Sequence, residues 1–333
     1  MQKTMPVTLR VLMFAALLWS IGCRQQPAPI QETERITVAQ WGQEKYLIYL
    51  PLYVAIEDGY FSRNGLNIDI KYTGNDDQTF AAVISGDAQF GIGDPVFAAI
   101  SRERGFPAKV VGTIVGGVAI WGVTNKATVQ EIKRPEDLAG LRVGTFPEPS
   151  TNFTLMKETI EKNPGALGGT RIVQAPIGAQ VALLESGAAD IAMELEPAAS
   201  IAESKGYRVV YSSPRFYGPY AFTGVTTTEK YTKEKPELVQ KFIGAIEGAV
   251  VACHRDPEIA VRVAHKIFPT LQPSVVSAAI HRMLTEKTFP EHVVVSEAAW
   301  QRALLSRLSV GDLKKPQATS LTVDNTFAQK AGG

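Results

Sequence analysis

The sequence is poor in the residues that most often build catalytic and metal centres. Its 333 residues include only two cysteines and four histidines. All four histidines follow residue 253, the motifs H-E-x-x-H and G-x-S-x-G are absent, and no carboxylate pair has a helical spacing typical of metal ligands. We therefore expect neither an enzyme nor a bound metal or cofactor.

The two cysteines also exclude a disulfide framework. Cys23 ends an N-terminal apolar run, and if it is modified there, Cys253 remains as the only thiol. Cys253 lies in an apolar stretch before His254, and adjacent residues of a helix do not face each other. The pattern favours a buried structural cysteine over a Cys-His nucleophile.

Charge of either sign is not in excess. The formal net charge is +1, and no basic run is interleaved with aromatic residues, so the sequence gives no reason to expect a nucleic-acid partner. A hydrophobic fraction of 45% over 333 residues is enough for two cores rather than one. These features favour a two-lobe globular protein that binds a small molecule.

The N-terminus is typical of an exported protein. Lys3 and Arg10 precede an apolar run at 11–21 that is too short to span a bilayer comfortably. The following Gly22-Cys23 resembles a bacterial lipobox, which predicts a signal peptide at 1–22, lipidation of Cys23, and a flexible tether at 23–35. Ser20 departs from that motif, which usually has Leu there, so plain secretion or an uncleaved anchor stay open.

After the tether, strand and helix patterns alternate in two successive units. The first unit has predicted strands at 36–39, 67–72, 89–92 and 108–115, and the second has them at 141–145, 171–175, 190–193 and 207–211. Helical patterns lie between these strands, at 49–61, 78–84, 96–102, 150–161, 179–185 and 198–204, and further ones follow at 235–252, 257–266, 273–285 and 296–306. The alternation predicts parallel sheets with right-handed crossovers. The chain is expected to be an α/β protein with two lobes.

Two extended, apolar, Gly-containing segments bracket the second unit. We interpret 118–124 and 220–227 as the crossings between the lobes. Lobe I then comprises 36–117 and 228–333, the latter mostly helical, and lobe II comprises 125–219.

Three stretches carry a resemblance to a known family. Y-L-P-L-Y-V-A-I-E-D-G-Y-F at 49–61, K-R-P-E-D-L-A-G-L-R-V-G-T at 133–145 and T-V-D-N-T-F-A-Q-K-A at 322–331 are similar to segments of solute-binding proteins of ABC importers. The family is the one that serves nitrate, sulfonates, taurine and thiamine precursors. The resemblance implies a two-lobe periplasmic-binding-protein fold of type II, with the ligand in the interlobe cleft.

The same resemblance implies a function and partners. The protein would be a monomeric periplasmic lipoprotein, anchored to the membrane, that captures a small polar or anionic ligand by lobe closure. It would deliver that ligand to an ABC permease with a cytoplasmic ATPase. A lipoprotein that senses or scavenges its ligand without transport is an alternative. An enzyme that makes the thiamine pyrimidine is less favoured, because its Cys-rich motif is absent here.

Ligand contacts in a two-lobe α/β protein are expected on loops at the carboxyl ends of strands and at helix N-termini. The predicted ligand-binding residues are Trp41, Gly42, Tyr46, Asn75, Asp94, Gly117, Phe146, Ser150, Thr151, Asn152, Glu194 and Tyr217. The glycines would allow close approach of the backbone to a ligand, although simple turn geometry also explains them.

The side chains of this set suggest two kinds of contact. The aromatic members could clamp a planar ligand, or could simply pack on their own lobes. Asp94 and Glu194 directly follow strands and could bind an amine or a protonated ring nitrogen. Ser150, Thr151 and Asn152 could hold a sulfonate, nitrate or carboxylate at a helix N-terminus, or could only cap that helix. The charge of the ligand is left open.

Overall fold

The computed structural model describes residues 33–332. The predicted signal peptide, Cys23 and nearly all of the predicted tether lie outside the described residues. Within residues 33–332, no helix has both the length and the apolar character needed to cross a membrane.

In the part of the chain that the structure describes, ten strands form two five-stranded sheets. The first sheet has the order β2-β1-β3-β10-β4 and the second has the order β7-β6-β8-β5-β9. The strands are β1 Glu34–Gln40, β2 Leu66–Tyr72, β3 Phe90–Gly93, β4 Ala108–Gly117, β5 Trp121–Thr124, β6 Arg142–Thr145, β7 Arg171–Gln174, β8 Ile191–Glu194, β9 Arg208–Ser212 and β10 Pro219–Thr228.

Helices cover both sheets and make up most of the C-terminal third. They are α1 Leu50–Glu57, α2 Tyr60–Arg63, α3 Asp76–Ser85, α4 Val96–Glu103, α5 Thr151–Lys162, α6 Gln180–Glu185, α7 Ala198–Ser204, α8 Ser213–Tyr217, α9 Glu229–Glu234, α10 Pro236–Arg255, α11 Pro257–Ile267, α12 Pro273–Thr285, α13 Glu297–Ser309, α14 Thr319–Thr322 and α15 Thr326–Gly332. The prediction of an α/β protein with two sheet-based lobes is confirmed.

The sheets are mixed rather than wholly parallel, which corrects one expectation. In the first sheet β1, β2 and β3 are parallel, but β10 runs antiparallel to β3 and β4. In the second sheet β5 is antiparallel to β8 and β9. These two strands are the segments interpreted from sequence as crossings. An apolar extended segment whose two neighbours are strands satisfies its backbone groups best by pairing with them.

The chain therefore passes between the lobes over shorter segments than expected. Strand β4 ends at Gly117 and β5 begins at Trp121, so one crossing is 118–120. The other lies between β9 and β10 and includes α8. Gly117 pairs with Pro219 at this end of the first sheet, so both crossings leave from the carboxyl edge of β4.

Local sequence explains the first helix of the chain. Pro51 occupies the first turn of α1, where its missing N–H removes no helical hydrogen bond. Six of the eight residues of α1 are buried, and the helix ends before Gly59, whose φ of 74° places it in the left-handed region. Helices α10 and α11 of the C-terminal region cover α1, so this helix lies at the centre of the first lobe.

Candidate functional site

A small cavity lies where the carboxyl edges of the two sheets meet. Its volume is about 40 Å³, enough for only a few water molecules. It is lined by Trp41, Ile48, Tyr49, Asp76, Asp94, Ile120, Phe146, Ser150, Thr151, Asn152, Leu195, Phe222 and Thr223. Because residues of both lobes contribute, a larger ligand requires the lobes to separate.

The N-terminus of α5 forms the polar wall on the second lobe. Ser150 caps the helix, its Oγ accepting a hydrogen bond from the Phe153 N–H at 3.3 Å. Asn152 Oδ1 accepts a hydrogen bond from the Phe146 N–H at 3.1 Å. That bond occupies the amide oxygen. The Nδ2 of Asn152 has no hydrogen-bond partner among residues 33–332. The wall thus offers an amide donor and the N–H groups of the first helical turn.

Asp94 is a carboxylate of the first lobe that accepts hydrogen bonds from three donors. Its Oδ1 accepts the Val96 N–H at 3.0 Å. Its Oδ2 accepts the Thr151 hydroxyl and Arg307 Nη2, each at 2.6 Å. Arg307 is completely buried. Asp94 was predicted to bind a cationic ligand group, but both of its oxygens are already engaged and its charge is balanced by Arg307.

Asp76 provides a second carboxyl group at the same edge. Its Oδ1 accepts the Asp94 N–H at 2.8 Å. The approach requires a glycine, since a Cβ on Gly93 would stand 2.6 Å from that oxygen. Burial and the nearby Asp94 charge raise the pKa of Asp76, with Arg307 acting in the opposite direction. Asp76 thus combines a partly buried position at the cavity with a tendency to hold a proton.

Aromatic side chains form the remaining walls. Trp41, Tyr49 and Phe222 come from the first lobe, and Phe146 comes from the loop after β6 in the second. Trp41 is held by its backbone N–H, which donates to Ile92 O at 2.8 Å, and by the Tyr46 ring, whose centroid lies 5.2 Å away. The arrangement can enclose a planar ligand edge to edge or face to face.

The structure gathers six of the twelve predicted residues at the cavity. These are Trp41, Asp94, Phe146, Ser150, Thr151 and Asn152.

The other six predicted residues do not line the cavity. Tyr46 packs behind Trp41, and Gly42 makes room for it, because a Cβ there would stand 2.3 Å from the Tyr46 ring. Asn75 is an exposed cap whose Oδ1 accepts the Gln78 N–H of α3. Gly117 ends β4 at the crossing. Tyr217 and Glu194 also lie outside the lining of the cavity.

Tyr217 is turned into the second lobe. Its hydroxyl lies 3.0 Å from the Thr159 hydroxyl, and its ring packs against Tyr211 and Phe216. Of the two sequence-based alternatives for this aromatic residue, packing on its own lobe is the one observed. It ends the short helix α8, so its direction depends on a helix that the sequence analysis did not predict.

Glu194 ends β8 beneath α6 and is only 3% exposed. Burial raises its pKa to about 7, and the Val181 backbone N–H opposes that shift. Its neighbour Leu195 lines the cavity, whereas Glu194 does not. The alternation of side chains along a strand explains why adjacent residues face different surroundings.

Several lining residues were missed, each for a definable reason. The sequence allows Asp76 a place in the cleft but favours Asp76 or Asp77 as the cap of a helix that begins near Thr79, a role that Asn75 fills instead. Tyr49 belonged to a stretch interpreted as helix core. Phe222 and Thr223 fell in a segment taken for a crossing, and their position in β10 is what brings them to the cavity. Arg307 follows the last turn of the predicted helix at 296–306, and nothing local distinguishes it from a surface arginine.

Cys253 is a free, fully buried thiol in α10, distant in sequence from every lining residue. Burial raises its pKa to about 12. A thiol that keeps its proton at neutral pH is a poor nucleophile. Residues 33–332 contain no cluster of metal-binding side chains.

Comparison with known proteins identifies the family. The model of the family described as "NMT1/THI5 like" matches residues 48–260, more than half of the chain. A Bacillus subtilis protein, YtlA, is 22% identical over 316 residues, covering 91% of this chain and 92% of its own. The formylaminopyrimidine-binding protein of Halalkalibacterium halodurans is 23% identical over 238 residues, 70% of each chain.

Solved structures share the fold at low identity. The periplasmic aliphatic sulphonate binding protein SsuA of Escherichia coli is 14% identical with a TM-score of 0.65, covering 85% of this chain and 94% of its own. The desulfurization enzyme DSZB is 16% identical with a TM-score of 0.61, covering 89% and 99%. The fold is therefore the two-lobe periplasmic-binding-protein fold, which carries an enzyme as well as binding proteins.

Proposed function

Because the chain belongs to the NMT1/THI5-like family, we propose that it is an extracytoplasmic solute-binding protein of an ABC-type importer. The cavity between the lobes is the observation that carries this proposal, since it is lined from both sides and large enough for a ligand only after opening. The lobes close over a small molecule, and the closed form is presented to a permease with its ATPase. The E. coli relative in fold is a periplasmic binding protein.

The chemistry of the walls supports one ligand class over another. Four aromatic rings surround the cavity, and the carboxyl group of Asp76 borders it on one lobe while the N-terminus of α5 borders it on the other. No lysine or arginine lines it in the described part of the chain. We propose a planar nitrogen heterocycle with donor and acceptor atoms, of the aminopyrimidine class. One of the curated relatives is a formylaminopyrimidine-binding protein.

A sulfonate with an amino group is the second candidate. The α5 N-terminus suits its anionic end, because free N–H groups of a helical turn favour negative atoms. Asp76 would then face the ammonium group. The aromatic walls have no specific role for such a ligand, which is why the heterocycle is preferred.

Location and anchoring follow from the predicted N-terminus. We propose a periplasmic, monomeric lipoprotein held to the membrane through Cys23. Mass spectrometry of the mature N-terminus checks this: a lipidated Cys23 is expected, whereas a mature chain starting elsewhere contradicts it. A ligand-binding lipoprotein for sensing or scavenging remains the alternative. Loss of uptake of the identified ligand on deletion of the gene favours transport; unchanged uptake favours the alternative.

A thermal-shift screen tests the ligand class. The purified protein is heated with aminopyrimidines, aliphatic sulfonates with and without an amino group, and nitrate. A ligand present at about one hundred times its Kd stabilises the folded state by about 2.7 kcal/mol. A shift with the aminopyrimidines alone is expected. A shift with sulfonates alone would replace the first candidate by the second.

Replacing Trp41 by Ala tests the aromatic wall. We expect affinity for the ligand found in the screen to fall about tenfold or more, because base-sized rings lose a stacking surface. The Tm of the empty protein should change little, since Trp41 is partly exposed at the cavity. Phe106→Ala is the matched control, because Phe106 is 52% exposed and lies outside the cavity. A large drop in Tm for Trp41→Ala would show that its role is in the core.

A further inference from the structure

Of the two cavity carboxyl groups, Asp94 is paired with Arg307, whereas Asp76 has no ion pair among residues 33–332. Arg307 donates to Asp94 Oδ2 from Nη2 and to Asp312 Oδ2 from Nη1 at 2.9 Å. Thr151 and the Val96 N–H complete the environment of Asp94. No residue among 33–332 donates a hydrogen bond to the second oxygen of Asp76, whose Oδ1 is held by the Asp94 N–H. The positive charge at this edge is therefore committed to Asp94.

The surroundings of Asp76 disfavour its negative form. The charged and titratable groups that face it are Asp94, Asp77, Arg307 and Tyr49. Three of these four are acids, and the arginine is already paired with two other carboxylates. Desolvation is the largest contribution, and together with Asp94 it raises the pKa of Asp76. Two neighbouring carboxyl groups, of which only Asp94 is paired with the arginine, are expected to hold one proton between them.

We infer that Asp76 binds the ligand as a carboxylic acid, donating from its free oxygen to an uncharged acceptor atom, and so selects a neutral nitrogen heterocycle over a preformed ammonium ion. Asp76 is thus a specificity-determining residue, and Arg307 is the positioning residue that assigns the negative charge to Asp94. This inference rests on the proposed function and narrows its ligand class. An acceptor such as a ring nitrogen matches the donor, whereas an ammonium group has only donors to offer.

The charge state can be measured without a ligand. Infrared spectra of the empty protein near neutral pH are compared between the wild type and Asp76→Asn. The difference spectrum is expected to contain the C=O band of a protonated carboxyl group, which disappears as the pH is raised. Glu194→Gln removes a separate protonated band and identifies that contribution. A difference spectrum with only a carboxylate band at neutral pH would overturn the inference.

Binding experiments use 4-aminopyrimidine as the probe and taurine as its charged competitor. Asp76→Leu is expected to lower affinity for the probe at least about tenfold, because the cavity loses its donor. Asp76→Asn retains an N–H donor at that place, so its affinity should fall only a few-fold and should no longer depend on pH. In the wild type, affinity should decline as rising pH ionises Asp76. Asp87→Asn, at an exposed carboxyl just after the same helix, is the control and should match the wild type.

The outcomes separate this inference from the proposed function. Affinity that increases with pH, or equal losses in the Asn and Leu variants, shows that Asp76 acts as a carboxylate and overturns the inference. Binding of taurine in preference to the probe does the same. If neither compound binds while the protonated band is present, the acid form of Asp76 is supported and the proposed ligand class is what fails.

Discussion

Two arginines, one completely buried and one with a side chain that is 12% exposed, connect the C-terminal helices to the second lobe. The first is Arg307 on α13, which donates to Pro149 O at 2.7 Å and Thr154 Oγ1 at 2.9 Å in the second lobe and to Asp94 in the first. The second is Arg282 on α12, which pairs with Glu196 and Glu203 beside α7. We call these sets the Arg307 network and the Arg282 network.

Their surroundings differ in what motion they allow. The Arg282 network lies beside the crossings: the Arg282 guanidinium is 5.9 Å from the ring of Trp121, whose Nε1 donates to Glu286 of the same region at 2.7 Å. The Arg307 network reaches the cavity itself through Thr151. The contacts of Arg307 join Asp94 of the first lobe to Thr151 and Thr154 of the second, so a separation of the lobes at the cavity would break them. We expect the Arg282 network to persist when the lobes open and the Arg307 network to separate, so that similar ion pairs would serve attachment at one place and closure at another.

The largest expected effect comes from removing the cation of either network. Arg307→Met leaves Asp94 buried without its cation, and Arg282→Met does the same to the fully buried Glu196. Each variant should lose about 3–5 kcal/mol of unfolding free energy, measured in urea, because breaking one side of a buried ion pair is costly. Small-angle scattering of the empty proteins should show separated lobes for Arg307→Met only.

A second substitution distinguishes the loss of charge balance at Asp94 from the loss of packing by the arginine side chain. Adding Asp94→Leu to Arg307→Met removes the orphaned carboxylate, and part of the lost unfolding free energy should return. If the double variant is no more stable than the single one, packing by the arginine rather than charge balance holds this region. Equal scattering curves for Arg307→Met and Arg282→Met would show that the two networks do not differ in their effect on lobe separation.

The sequence predicts much of this architecture because regular elements depend on local patterns. The helix at 273–285 agrees with its predicted bounds, and the helices at 50–57 and 151–162 agree within a turn. Apolar periodicity, Pro at first turns and Gly at helix ends are all local signals. The lobes could be predicted for the same reason.

The site was predictable only where it depends on chain order. Trp41, Phe146 and the Ser150–Asn152 turn follow strands whose carboxyl ends form the cleft, and these are at the cavity. Arg307 reaches it from a helix more than 200 residues after Asp94, and no local pattern records such a contact. The direction of a strand also decides which of its residues reach the site. Strand β10 is antiparallel to β3, and this brings Phe222 to the cavity edge.

A buried carboxyl group without a cation provides a calibration for both networks. Glu194 pairs across strands with Trp121 but has no ionic partner within residues 33–332, and its pKa is raised to about 7. Below the unfolded pKa, Glu194 is protonated in both states and its burial costs no free energy of folding. As the pH rises toward 7 and beyond, the unfolded protein gains the ionised form first, so the folded protein loses stability. Glu194→Gln should therefore raise the unfolding free energy by about 2 kcal/mol at neutral pH.

Urea unfolding at several pH values checks this. The gain should vanish near pH 4, where the glutamate is protonated in both states. A variant that is less stable than the wild type at neutral pH would show that Glu194 is ionised and compensated in the folded protein. The same measurement then gives the scale against which Asp94 and Glu196, each with an arginine, are judged.

The smallest expected effect concerns the neutral partners of the two arginines. Thr154→Val removes a hydroxyl that accepts from Arg307 Nη1, and Ser200→Ala removes one that accepts from Arg282 Nη1 at 3.0 Å. Both hydroxyls are buried, so each variant should lose about 1 kcal/mol of unfolding free energy.

Thr154 belongs to the second lobe, and its contact with Arg307 exists only while the lobes are together. Thr154→Val should therefore enlarge the radius of gyration of the empty protein and weaken ligand binding a few-fold, whereas Ser200→Ala should do neither. Identical scattering for the two variants would mean that α13, like α12, stays attached to the second lobe throughout the binding cycle.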